Sequence, residues 1–285
     1  MFNMFIFYIS TVLVLAIFSS REGQFSATDP LYGEVTQVQK GEYLFVVSIV
    51  NIKLISDEDP YGHVCGGALI KSNFVLTAAH CYMEAGETLD DYQVCAESND
   101  LAECRKVGLK AWETFDQWIV KKNKRSEFVS NDISLIQLKE HVNATIAKMS
   151  LKSPEKWIGK RILTVSWMMF DAVASRNMTQ AFLQVLSQDE CRYNIQRALF
   201  GVRPCLLHLE KNIICTNNTP YVTLHNGDSG IPIFVRKVTS KYSIVGINSK
   251  SRPHQGIQNR KYEQNLHVSL YYYLKFITNV TGLKL

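Results

Sequence analysis

Ser229 stands in the run Gly227-Asp228-Ser229-Gly230, His80 just before Cys81 in "LTAAHC", and Asp132 at the head of the apolar stretch 133–138. Each has an ordinary reading. Gly-Asp-Ser-Gly is turn chemistry, because glycine supplies positive φ while Asp and Ser bond to nearby backbone groups. An Asp before a strand caps a turn in the same way, and a lone histidine is a hydrogen-bonded core residue. A metal reading of His80 fails for want of a paired His or Cys motif at ligand spacing. Together, however, the three types suit one chemistry. A hydroxyl nucleophile needs an imidazole to take its proton, a carboxylate to hold the imidazole tautomer, and backbone N–H donors for the oxyanion.

The rest of the chain must position such a set. Runs rich in Val, Ile and Phe recur at 43–50, 74–79, 133–138, 161–167, 182–187, 231–235 and 242–247, cut by Gly, Asn, Asp and Ser. That pattern indicates an all-β sandwich or barrel rather than alternating strands and helices. Only the end reads as helical: Ser269 is placed to cap 270–278, where Leu270, Tyr273, Leu274 and Ile277 share a face. No repeat at a solenoid period and no low-complexity linker divides the chain.

With 285 residues, 46% of them hydrophobic, the chain can fill one large domain or two compact halves, which excludes a disulfide-only miniprotein. The net charge of +5 is modest. The basic runs at 121–125 and 250–254 lack the interleaved aromatics of a nucleic-acid face, so they read as solvated loops and no nucleic-acid partner is expected. The apolar run 5–18 is shorter than the roughly 20 residues of a spanning helix, and Ser19 and Ser20 follow it. Residues 1–20 read as a secretory signal peptide, and the protein as secreted without a stable membrane anchor; because no Lys or Arg precedes the run, an uncleaved anchor is the alternative. In an exported chain Asn143, Asn177, Asn217 and Asn279 head Asn-X-Ser/Thr glycosylation triplets, which would be surface positions. Cys65 and Cys81 then close a loop beside His80, which the chain-entropy model values at about 3 kcal/mol.

At this point the sequence resembles the chymotrypsin- and trypsin-like serine proteases. The likeness runs from about residue 32 to 278, through "VQKGEYLFVVSI", "CGGALI", "LTAAHC", "NDISLIQL", "GDSG" and "IVGINS". "LTAAHC" and "GDSG" at this order and separation are a highly specific combination. The resemblance implies two packed six-stranded antiparallel β-barrels with a C-terminal α-helix and an active site in the cleft between them. Residues 21–31 become a short pro-segment or N-terminal extension, about 32–148 the first barrel and about 149–285 the second. It further implies His80 as general base, Asp132 as its orienting acid, Ser229 as nucleophile, and the N–H groups of Gly227 and Ser229 as oxyanion hole. Asp228 matches the acid that receives the ammonium freed at activation. No cofactor or metal is implied; the partners are a protein or peptide substrate and a protease-cascade protein.

The departures from the family pattern carry their own expectations. No Arg or Lys stands directly before Tyr32, where the family's mature chain begins, so a trypsin-like activator has nothing to cut there. The expected outcomes are cleavage after Leu31 by a non-tryptic protease, or no cleavage and a zymogen-like loop with Asp228 solvated, the second favoured by the bulk of Tyr32. Around the groove, His225 replaces a bridging cysteine, Lys250 a Trp, Ser251 a Gly, and Ile231 a second Gly after the serine, while the glycines flanking Trp167 are missing. Bulk is therefore expected where substrate backbone would pair. Thr223 falls at the base of the primary pocket and offers no charge to Arg or Lys, unless Glu263 enters it; Ser249, Lys250 and Ser251 complete the expected lining. Cys191 with Cys215 matches a family bridge, and Cys95 with Cys104 reads as a local loop closure. Cys205 is left over, whether free, reshuffled within the second barrel or bound to another chain. Two functions follow: a secreted serine endopeptidase, favoured by the intact triad, or a non-catalytic protease homologue that binds or regulates.

Overall fold

Runs rich in β-branched residues form strands, most of them buried along nearly their whole length, that meet as two barrels. The computed structural model describes residues 35–82, 84–167, 169–170, 173–200, 208–217, 224, 227–236, 242–252 and 264–285. The expected signal peptide, the 21–31 segment, Tyr32, Cys205, Thr223, His225 and Glu263 lie outside the described residues. The first half holds β1 (Val35–Gln37), β2 (Val46–Asn51), β3 (His63–Lys71), β4 (Phe74–Thr77), β5 (Tyr92–Ala96), β6 (Arg105–Thr114) and β7 (Ser134–Leu138). After them come β8 (Lys148–Met149), β9 (Arg161–Ser166), β10 (Met169–Phe170), β11 (Val173–Ala174), β12 (Thr179–Leu186), β13 (Ile213–Asn217), β14 (Pro232–Arg236), β15 (Tyr242–Arg252) and β16 (Gln264–Ser269).

Strands β2-β3-β4-β7-β6-β5 close into an antiparallel barrel. Strands β9, β12, β13, β16, β15 and β14 close a second, sealed by the β14–β9 pairing of Phe234 with Leu163. Closure leaves no long open sheet edge. Between the barrels, rings from both halves pack together: Phe45 lies 5.1 Å from Phe234 and 5.4 Å from Tyr242.

The end of the chain is helical as expected, but Ser269 does not cap it with its side chain; a 3-10 turn, Leu270–Tyr273, leads into a helix over Leu274–Thr281. Leu270, Tyr273 and Ile277 are buried, with Phe276 in place of the expected Leu274. Two further helices correct the all-strand reading of the interior: α1 (Phe115–Lys121) and α2 (Gln188–Phe200), which make the terminal helix α3. Both open on capping boxes, Thr114 with Gln117 and Ser187 with Glu190, which satisfy the otherwise orphaned first-turn N–H groups. The α3 helix crosses back to the first barrel, where Phe276 packs on Phe115 and Trp118 and Lys71 Nζ donates to the Thr281 carbonyl. Among the described residues no helix is long and apolar enough to cross a membrane.

The three expected disulfides form: Cys65–Cys81, Cys95–Cys104 and Cys191–Cys215, the last tying α2 to β13. Asn143, Asn177 and Asn279 are exposed. Asn217 is only partly exposed. It lies in β13 between β12 and β16, half-buried, with an Oδ1 that has no room for solvent.

Candidate active site

The pairing of β4 with β7 builds the first half of the site. Thr77 faces Ser134, so the residues just beyond β4 and just before β7 emerge side by side. His80 sits there in the 3-10 turn Ala79–Cys81, held through Cys81 by the disulfide to Cys65. A buried relay fixes the two chain segments: Trp112 Nε1 donates to Ser134 Oγ, which donates to the Ala78 carbonyl, at 3.0 and 2.9 Å. Beside Asp132, Asn131 accepts from the Tyr273 hydroxyl, so the C-terminal segment braces the same loop.

His80 and Asp132 meet twice. The His80 backbone N–H donates to Asp132 Oδ1 at 2.9 Å, and His80 Nδ1 lies 2.8 Å from Asp132 Oδ2. Burial alone would raise the Asp132 pKa, but the bonds from His80 and Ser249 outweigh it and hold the carboxyl below its ordinary value. An ionised carboxylate only accepts, so Nδ1 carries a proton and Nε2 is left as acceptor in the neutral ring. Ser229 Oγ lies 2.7 Å from that Nε2.

Ser229 comes from the second barrel, on the loop before β14, and two glycines press this loop onto the first barrel. The Gly66 N–H donates to the Ser229 carbonyl at 2.7 Å. Gly230 has φ +77°, and a Cβ there would fall 2.4 Å from the Gly66 carbonyl oxygen and 2.2 Å from Thr77 Oγ1. Gly227 also has positive φ, +88°, and its carbonyl accepts from His63 Nε2 at 3.0 Å.

His63 is a residue the sequence reading passed over. Buried in β3, it uses Nε2–H on Gly227, so its Nδ1 accepts from Ser48 Oγ at 2.6 Å. Its only sequence signal was a histidine two residues before Cys65; the pairing with Ser48 depends on the β2–β3 register. Burial pushes His63 down to about 4, and burial pushes His267, bonded to Thr216 in the second barrel, down to about 3. Both histidines are therefore neutral when folded and gain a proton on unfolding below their ordinary pKa, so stability is full above neutrality and falls as pH drops. Between about pH 7.5 and 5.5 the two together should remove about 3 kcal/mol, read as a lower urea midpoint. A midpoint independent of pH in that window would contradict this burial.

Asp228 is 1% exposed, which corrects the expectation of a solvated acid. Its carboxylate accepts from Ser166 Oγ, and Asn248 Nδ2 donates to its backbone carbonyl. Ile231 does not narrow the groove. It is fully buried against Gly66, where a Cβ would overlap its Cγ2, so the missing glycine adds bulk to the barrel interface instead. A bulge in β15 falls at Ser249, where Asn248 pairs with His267 and Lys250 with Leu266. The extra residue turns its hydroxyl onto Asp132 Oδ2. Lys250 is half-buried opposite Leu266, and the backbone of Ser251 pairs with Asn265. Cys65, His80 and Cys81 lie close together, but the disulfide removes both thiolates as metal ligands. A surface cavity of about 390 Å³, lined by Phe74, Trp118 and Val280 among others, touches none of His80, Asp132 or Ser229.

A model of the Trypsin family matches residues 34–277. The chain is 24% identical over 222 residues to inactive CLIP domain-containing serine protease A8 of Anopheles gambiae, covering 76% of this chain and 60% of that protein. It is 26% identical over 226 residues to brachyurin of Leptuca pugilator, covering 78% and 89%. To chymotrypsin-C of Bos taurus it is 26% identical over 200 residues, covering 67% and 69%. The chain thus spans less than two thirds of the first of these relatives and most of the second. With the family match extending over both closed barrels, the chain belongs to the chymotrypsin- and trypsin-like serine proteases.

Proposed function

We propose that the protein is a secreted serine endopeptidase in which Ser229, His80 and Asp132 form the catalytic triad. Residues 1–20 are its signal peptide, 21–31 an N-terminal extension and 32–285 the protease domain, with the two barrels divided at about residue 148. The observation that carries the reading is His80 bridging Asp132 at 2.8 Å and Ser229 at 2.7 Å across two barrels. Three disulfides suit an oxidising compartment. Asn143, Asn177 and Asn279 are the proposed glycan acceptors, since all three are exposed.

Ser229 Oγ attacks the substrate carbonyl carbon as its proton passes to His80 Nε2, and the Asp132 carboxylate stabilises the resulting imidazolium. The N–H groups of Gly227 and Ser229 take the oxyanion; loss of one such donor costs about 100- to 1,000-fold in rate. His80 then protonates the leaving amine, and water repeats the sequence on the acyl-enzyme. The purified secreted protein should be labelled by a fluorophosphonate serine probe, and Ser229→Ala should not. Absent labelling of a folded wild-type protein would favour a second reading, a binding or regulatory homologue in a protease cascade. That reading is supported by two relatives whose names call them inactive.

Ser249 tests the site more finely. Its bond to a carboxylate belongs to the stronger class, so Ser249→Ala is expected to lower kcat about tenfold with KM unchanged. A raised KM at unchanged kcat would mean that Ser249 serves substrate binding and not the orientation of Asp132.

A further inference from the structure

The segment that leads into the second barrel carries a run of exposed cations that the triad does not use. Between positions 148 and 161 stand Lys148, Lys152, Lys156, Lys160 and Arg161 against the single acid Glu155. All five cations are exposed, and among the described residues Lys148, Lys152, Lys156 and Lys160 enter no ion pair. Two of them share one buried ring. Lys152 Nζ and Lys160 Nζ both lie over Trp157, 5.6 and 5.4 Å from its centroid. Like charges gathered on one ring repel one another, and an external anion relieves that repulsion.

Exposed apolar side chains neighbour these cations across the sheet and along the chain. Arg161 stacks on Phe182 at 4.8 Å across the β9–β12 pairing, yet Phe182 remains 47% exposed. Ile158 and Leu151 are 44% and 52% exposed, next to Trp157 and Lys152. A sulfated polysaccharide would satisfy the cations but leave these side chains in water. A lipid surface satisfies both, since head groups meet the lysines while the apolar side chains enter the boundary beneath them.

We propose that these side chains dock the protein on a lipid surface rich in anionic head groups, with Lys152, Lys156 and Lys160 supplying attraction and Ile158 and Phe182 supplying insertion. The docking does not depend on the reactivity of Ser229.

The test is co-sedimentation of the secreted chain, carrying Ser229→Ala to prevent self-digestion, with vesicles of phosphatidylcholine alone or mixed with phosphatidylserine. Binding is expected only to the mixed vesicles and should weaken with added salt. Each lysine near such a surface is worth about fivefold in affinity, so Lys152→Glu with Lys160→Glu should lower binding at least about thirtyfold. Ile158→Ser with Phe182→Ser should weaken binding and make the remainder more salt-sensitive. Unchanged thermal unfolding of both variants would assign their losses to the surface. Equal binding to uncharged vesicles, or none to either, overturns the proposal. Retention on immobilised heparin through the same lysines without vesicle binding also overturns it and marks a polysaccharide site instead.

Discussion

Ser229→Ala and His80→Ala are each expected to lower turnover of a peptide substrate about a millionfold, and the double variant no further. The reason is mutual dependence. Without an imidazole at 2.7 Å the hydroxyl keeps its proton and attacks no faster than water, and without the hydroxyl the base has nothing to activate. Asp132→Asn should cost less, about ten-thousandfold, because an amide can donate to the ring and so stabilise the wrong tautomer. Progress curves and fluorophosphonate labelling of the same preparations check all three. Equal residual rates in wild type and Ser229→Ala would refute the proposed nucleophile, and additive losses in the double variant would deny that the residues act as one unit.

Gly230→Ala is expected to destabilise the fold by more than about 4 kcal/mol. Two independent penalties combine at this residue. Its φ of +77° strains any L side chain, and a Cβ would drive into the Gly66 carbonyl, a backbone atom that cannot swing away because Thr77 Oγ1 holds it. Gly159 separates the two penalties, since its φ is +74° but nothing lies within 4 Å of where its Cβ would be. Gly159→Ala should therefore cost only about 1–2 kcal/mol. Urea unfolding in a Ser229→Ala background gives both values; equal costs would mean that the Ser229 loop is not docked tightly on the first barrel.

Periodicity and composition made the β-rich character legible, and local disulfide logic pointed to Cys65–Cys81, because strands and short loops are written in neighbouring residues. The α1 and α2 helices were legible too, in Thr114-x-x-Gln117 and Ser187-x-x-Glu190, but α1 is short, and among its described side chains α2 buries only Cys191 and Ile195. The types and order of His80, Asp132 and Ser229 were in the sequence as well. Their meeting was not, for it depends on the β4–β7 register and on the docking of two barrels, contacts between residues 52 and 149 positions apart. Side-chain direction was decided at the same level. The bulge at Ser249 turned its hydroxyl onto Asp132, and the space opposite Gly66 drew Ile231 inward. Asp228 lost its solvent only when Ser166 and Asn248 closed around it. A chain specifies residue types and local spacing directly. Which face a side chain presents, and to what, emerges only when distant strands have paired, because one residue of register or one bulge reverses it.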